Sequence, residues 1–443
     1  MDYTESEVLQ YIAENDVKFI KLFFIDIYGG LKSVSIMPSE LERAFKTGIS
    51  FDASSVPGFS GAEKSDLFIL PDPSTLSILP WRPQHGRVVR FYSNIRYPDG
   101  SPCECDTRYL LQQTAAKAEK LGYNIKIGTE CEFYLFQLDE KGYPTLIPHD
   151  RAGYCDLAPR DKGENVRRDI CLTLEQMGLS PEVSHHESGP GQHEVDFKYS
   201  SLVKSADNLS TFKTVVKTIA ARSGLYASFM PKPFCSREAL DGVLPGSFGR
   251  DEKPVDYPGS GLHVNISLYK NGHNSILSDP MDEEAKSFIA GILNRIVDIT
   301  AFLNPLHNSY DRLGKLEAPR CVSWSRQNRS QLIRIPAAHG EDARIELRSP
   351  DPACNQYTAL SLIVHAGLEG IQKKLELPEP CSKNLFKLSS SELAKYKTLP
   401  LTLPQALAEA RKSDFVKAVL PAMLTDTFFG MKKTGRDPAF EEL

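Results

Sequence analysis

The chain has 443 residues, 41% of them hydrophobic and 25% charged, which is room for more than one domain and too apolar for a disordered tail. A formal net charge of −5 gives no general attraction to nucleic acid. The acidic start, Met1-Asp2-Tyr3-Thr4-Glu5, argues against a leader segment, and nine scattered cysteines without a CxxC pair point to free thiols in a reducing cytoplasm.

Residues 4–14 predict a short helix. Lys18 to Ile27 and Lys32 to Ile36 flank Gly29-Gly30 and predict a hairpin. Residues 52–102 are rich in Pro, Gly and Ser, with one strand predicted at Arg87 to Tyr92. A helical pattern from Thr107 to Leu121, after Pro102, places a domain boundary near Asp106, giving domains 1–105 and 106–443. The remainder reads as α+β, with helices at Gly163 to Met177, Leu209 to Ser223, Asp282 to Leu303 and Gln356 to Leu375. Asn294, Arg295 and Asp298 interrupt the most apolar run, which fits an amphipathic helix rather than a membrane span. Residues 234–258 are rich in Gly, Pro and charge, and predict an irregular segment.

Four predicted strands carry polar groups along one face. In Gly128-Thr129-Glu130-Cys131-Glu132-Phe133, the two glutamates are two positions apart and point to the same side. Gln192 to Phe197 presents Glu194, shortly after Glu187. Leu262 to Leu268 sets His263, Asn265 and Ser267 opposite Leu262, Val264 and Ile266. Arg344 to Arg348 groups Arg344, Glu346 and Arg348. Buried carboxylates on one face repel one another and lose hydration unless cations compensate. Five carboxylates with one imidazole suit Mg²⁺ or Mn²⁺ better than zinc. Arg312, Arg326, Arg329, Arg334, Arg344 and Arg348 form a second group, suited to polyphosphate. No GxxxxGK[ST] loop is present, so a nucleotide would be held without a P-loop.

These motifs, in order along nearly the whole chain, resemble glutamine synthetase of the bacterial type I class. The matching pieces include Phe51-Asp52-Ala53-Ser54-Ser55, Glu130-Cys131-Glu132, His185-His186-Glu187, Gly259-Ser260-Gly261-Leu262-His263, Asn308-Ser309-Tyr310-Asp311-Arg312, Asn328-Arg329-Ser330 and Arg344-Ile345-Glu346-Leu347-Arg348. The resemblance implies an α+β fold: a small N-terminal β-grasp domain, then a larger catalytic domain with a curved antiparallel sheet. It implies a cytoplasmic double-ring dodecamer with active sites between subunits, using ATP and Mg²⁺ or Mn²⁺ to join glutamate and ammonia through a γ-glutamyl phosphate. A sibling ligase that joins glutamate, or a related acid, to an organic amine is the alternative.

By the same resemblance, Glu132, Glu187 and Glu194 bind one metal, and Glu130, His263 and Glu346 the other. Glu182, Tyr199, Asn265, Ser267, Arg334 and Arg344 contact ATP, with Arg329 at the γ-phosphate. Gly259, Arg312 and Arg348 hold glutamate. Asp52 from a neighbouring subunit binds ammonium and takes its proton, helped by Tyr154, Ser55 and Glu187, and Glu317 shields the intermediate. The chain departs from the family pattern at Pro258 (usually Asn), at Ala53 (usually Gly), at Asp311 (usually Lys), in a longer segment after Lys232 and in a C-terminus without the usual Trp. Phe386 stands where one branch carries a modifiable Tyr, and Gly61 where another carries a feedback Arg, so neither control is expected in its familiar form.

Overall fold

The computed structural model describes residues 3–59, 61–82, 85–233, 256–277, 281–338 and 340–431. Most of the irregular segment predicted at 234–258, together with the tail beyond 431, lies outside the described residues. The helix α1 (Glu5–Glu14) starts on a capping box in which Thr4 and Glu7 satisfy each other's backbone donors. The predicted hairpin follows as β1 (Val17–Ile25) and β2 (Leu31–Ile36). Its turn is set by Gly29 at φ +90° and by Asp26, which accepts from the amides of Tyr28 and Gly30. Next come α2 (Leu41–Thr47), β3 (Ile49–Asp52), β4 (Asp66–Pro71), β5 (Ser77–Ile78) and β6 (Arg87–Arg96). The sheet order is β2-β1-β6-β4-β3, with β5 beside β6 and only β1 and β6 parallel. Ile20, Leu22 and Phe91 bury against Val8, Leu41 and Phe45 of the two helices.

The helix α3 (Thr107–Lys120) begins where Asp106 accepts from the Arg108 and Tyr109 amides. Then follow β7 (Tyr123–Leu138), β8 (Pro144–Pro148), α4 (Glu164–Gln176), β9 (Pro181–His186), β10 (Gln192–Phe197), β11 (Ser200–Ser201), α5 (Leu202–Arg222) and β12 (Leu225–Ser228). Five more strands complete the sheet: β13 (Leu262–Lys270), β14 (His273–Asn274), β15 (Trp324–Arg326), β16 (Ile333–Ile335) and β17 (Ile345–Leu347). The main path runs β15-β16-β17-β13-β7-β10-β9 and is antiparallel except between β15 and β16. Long β7 is its spine: residues 123–131 pair with β13, 132–134 with β10 and 134–137 with β12.

Alternation divides the two faces. Cys131, Phe133, Val195, Leu262, Val264 and Ile266 enter the same core as α5 and the helices Glu283–Leu303 and Gln356–Lys373. The intervening polar residues therefore share the opposite face. Buried polar groups join the two sheets' domains: Arg108 lies 2.9 Å from both Asp72 and Asp207. Asn355 caps Gln356–Lys373 and donates to the carbonyls of Asp26 and Ile27. Among the described residues, no helix is long and apolar enough to cross a membrane, and the described cysteines are all free.

Candidate metal and nucleotide site

Register places the acidic residues. On β7, Glu130 stands opposite His263 of β13, and Glu132 opposite Glu194 of β10. Glu346 of β17 is paired on one side with Asn265 and on the other with Arg334. Directly opposed residues on one sheet face bring their Cβ atoms to about 5 Å, whereas residues two apart on a strand are separated by about 7 Å. The result is two adjacent groups. In one, Glu130, His263 and Glu346 offer ligand atoms within 4.8 Å of one another; in the other, His185, Glu187 and Glu194 do so.

The first group is electrostatically compensated. His263 Nδ1 lies 3.2 Å from Glu130 and 3.7 Å from Glu346. Asn265 donates its amide to Glu130 at 2.9 Å and accepts from Arg344 Nε at 3.0 Å. Burial pushes the Glu130 carboxyl up, but the His263 hydrogen bond, with Asn265 and Arg344, pulls it further down, to about 2. Glu346 is almost fully buried between Arg334, at 2.5 Å, and Arg348.

The second group lacks this compensation. Burial, followed by the charge of Glu132, pushes Glu187 up to about 7. Burial and the neighbouring carboxylates of Asp196, Glu132 and Glu130 hold Glu194 well above its ordinary range. Asp196, two residues beyond Glu194, is pushed up to about 8 by burial and by Glu130, and its Oδ1 is buried without a partner. Such a group holds protons or a cation. Oxygen donors with single imidazoles fit a hard or borderline divalent ion in both groups.

Glu132 is held from behind: its Oε2 accepts from the Gly261 amide at 2.8 Å and from Gln192 Nε2 at 2.9 Å. A Cβ at Gly261 would stand 2.7 Å from the Arg312 guanidinium and 3.0 Å from His263 Nε2, so any larger residue there pushes those side chains aside. At Gly259 it would meet the Pro231 carbonyl at 2.1 Å. Arg312 is buried beneath this loop and donates to the carbonyls of Ser349, Pro350 and Arg348. The carbonyl of Pro258 accepts from Tyr134 at 2.5 Å.

Glu317 overlies the arginines. It sits at φ +70°, next to Leu316 at φ +42°, a left-handed pair without glycine. Its carboxylate lies 3.9 Å from both Arg329 and Arg348, and its carbonyl accepts from Arg348. Ser267 donates to the Ala343 carbonyl at 3.0 Å. Tyr199 is exposed, with Lys126 over its ring, and Glu182 is exposed on β9. Tyr154 is exposed, its ring edge-on to His185 at 5.3 Å. Asp52 and Ser55 lie apart from this face, at the end of β3. There the Asp52 carboxylate accepts from the Ser54 amide and from the Ser54 and Ser55 hydroxyls. Among the described residues, no hydrogen bond or ion pair connects Asp52 to either group.

Sequence reasoning missed Asp196 and His185. Period-two spacing was a usable signal for both, since Asp196 stands two residues after Glu194 and His185 two before Glu187, and the register sets His185 opposite Glu194. It also missed a fully buried layer beneath the second group. His186 bridges Asp150, at 2.8 Å, and the Glu187 carbonyl, while Arg167 donates to His193 Nδ1 at 2.9 Å and pairs with Asp161.

Comparison with known proteins identifies the family. Residues 16–98 match the family model for the glutamine synthetase beta-Grasp domain, and residues 104–240 and 252–442 match that for the glutamine synthetase catalytic domain. The chain is 46% identical to the glutamine synthetase of Methanosarcina mazei over 425 residues, 94% of this chain and 90% of that one. It is 42% identical to the Staphylococcus aureus enzyme over 439 residues, covering 97% and 94%. Among solved structures, it superposes on a GmaS/ADP complex with TM-score 0.84 and 25% identity, covering 98% and 95%. On Plasmodium falciparum glutamine synthetase the TM-score is 0.83 at 23% identity, covering 100% and 97%, a likeness of fold.

Proposed function

The chain belongs to the glutamine synthetase family of ligases, which form glutamine with ATP and divalent metal, and from that premise we propose how its own residues divide the work. The observation that carries the reading is the pair of donor groups side by side on one sheet face, bordered by Arg334, Arg344 and Arg348. Glu130, His263 and Glu346 hold one Mg²⁺ or Mn²⁺, and Glu132, Glu187 and Glu194 hold the other. When bound, such ions screen the charge between a carboxylate and a polyphosphate and orient the phosphoryl group for transfer.

The side chains supply the rest. Arg334 and Arg344, with Glu182, Tyr199, Asn265 and Ser267, hold ATP, and Arg329 meets the γ-phosphate. Gly259, Arg312 and Arg348 fix glutamate so that its γ-carboxylate oxygen attacks the γ-phosphorus and ADP leaves. Ammonia then displaces phosphate from the γ-carbonyl carbon, after Asp52 accepts the ammonium proton with Ser55 and Tyr154 nearby. Asp52 is exposed and lies apart from both donor groups of its own chain, so it meets such a site only from a neighbouring copy, as in a double-ring dodecamer. Glu317 closes over the phosphorylated glutamate and keeps water out.

Release of ADP and phosphate with glutamate tests this, comparing ammonium with methylamine and ethanolamine. Turnover with ammonium and little with the amines is expected. Turnover only with an organic amine would overturn ammonia as the acceptor, and ADP release that needs no divalent ion would overturn the metal assignment.

A further inference from the structure

The polar face contains an imidazole that the assigned ligand sets leave unused. His185 stands opposite Glu194 in the β9–β10 register, so its ring projects to the side of the sheet that carries the carboxylates. Its Nε2 lies 3.5 Å from Glu187 Oε1. Its Nδ1 is buried without a hydrogen-bond partner, and the edge of the Tyr154 ring packs against it at 5.3 Å. His185, Glu187 and Glu194 already bring one donor atom each within 4.8 Å of one another. Donors around a single ion at bond lengths of about 2.1 Å lie up to about 4.2 Å apart, so a closing movement on the order of 0.5 Å suffices. Glu132, meanwhile, has one carboxylate oxygen committed to the Gly261 amide and the Gln192 side chain.

We propose that His185 is a direct nitrogen ligand of the metal held by Glu187 and Glu194, sharing that ion with the free oxygen of Glu132. The inference rests on the metal assignment above and deepens it. It makes the second group a mixed nitrogen–oxygen site like the first. Imidazole binds transition ions in preference to Mg²⁺, so His185 gives this site a preference for Mn²⁺. His185 must present Nε2, because Nε2 is the nitrogen that faces Glu187.

Mn²⁺ alone, without nucleotide or glutamate, is the probe, with occupancy followed by electron paramagnetic resonance and nitrogen coupling by electron spin echo. The chains compared are the unaltered protein, His185→Ala, His185→Asn, His263→Asn and the His185→Asn, His263→Asn double variant, all checked for unchanged thermal unfolding in chelator. The unaltered protein binds two Mn²⁺ per chain. In His263→Asn the remaining nitrogen coupling comes from His185, and it vanishes in the double variant. Loss of a metal-contacting histidine weakens one site by about 10-fold or more. Absence of nitrogen coupling in His263→Asn while Mn²⁺ still binds the Glu187 group overturns His185 as a ligand, whatever the affinities do, and leaves the carboxylate assignment standing. Failure of the unaltered protein to bind Mn²⁺ overturns the metal assignment and this inference together.

Discussion

The two donor groups predict different responses of metal binding to pH. In the second group, Glu187 carries a proton up to about pH 7, against an ordinary value of 4.5, because burial and Glu132 penalise its charge. An ion that binds there first displaces that proton. With one displaced proton of pKa about 7, apparent affinity falls about tenfold between pH 8 and pH 6, and more as Glu194 and Asp196, both also raised, give up protons. Glu130 is held at about 2 and contributes no such loss over this range.

The same proton affects folding. A folded-state value above the unfolded one means that the native chain binds more protons, so stability is full below about pH 4.5 and declines as pH rises toward 7. At about 1.4 kcal/mol per pH unit, Glu187 alone lowers the stability of the metal-free protein by about 3 kcal/mol at pH 8. An ion at 100 times its dissociation constant restores about 2.7 kcal/mol. Calorimetric titration of Mn²⁺ at pH 6, 7 and 8, in two buffers of different ionisation enthalpy, reads affinity and proton release together. One site losing affinity below pH 7 with release of at least one proton is expected. Two sites with equal, flat pH profiles and no proton release would refute the electrostatic division.

Three other outcomes follow from particular contacts. Glu369 clamps helix Gln356–Lys373 to Glu283–Leu303 through two bonds to Arg295, at 2.6 and 2.9 Å, and these, with Lys373, pull its carboxyl down to about 2. After allowing for solvent screening, Glu369→Gln should lower unfolding free energy by about 1 kcal/mol at pH 7. That deficit should shrink as pH falls from about 4.5 through 2, as urea midpoints at pH 7 and 3 would report. Gly261→Ala should displace Arg312 and His263 and lower kcat by about 100-fold with little change in thermal unfolding; an unchanged kcat would show that the loop yields freely. Asp150→Asn should weaken Mn²⁺ binding at the Glu187 group by about 10-fold, because His186 ties Asp150 to the Glu187 backbone; equal weakening at both groups would point to general disruption instead.

The sequence made the site strands legible because one of their faces is apolar. In Leu262-His263-Val264-Asn265-Ile266, strict alternation announces both the strand and the residues that share its polar side. Glu130 and Glu132 were legible for the same reason. By contrast, α5 begins at Leu202, earlier than the predicted Leu209, because Ser205, Asp207 and Ser210 are buried polar residues that blur the helical pattern. Asp207 earns its burial from Arg108, far away in sequence. Strands β4 and β5 were hidden in a segment rich in Pro and Ser, where β4 is short and β5 is a two-residue edge on β6. The Asp150–His186 layer had no local signal, since its members come from a loop, from α4, and from β9 and β10.

Strand geometry explains why two unlike sites can coexist so close together. Glu130 and Glu132 share a face of β7, so their spacing is fixed by the backbone and not by rotamer choice. What differs is the neighbour each receives across the ladder: His263 for one carboxylate, another carboxylate for the other. The first pairing largely balances its own charge, helped by Asn265 and the arginines around Glu346. The second leaves an excess of buried negative charge that only a proton or a cation can answer. One rigid strand thus carries a site organised before any ion arrives, beside a site whose organisation depends on the ion.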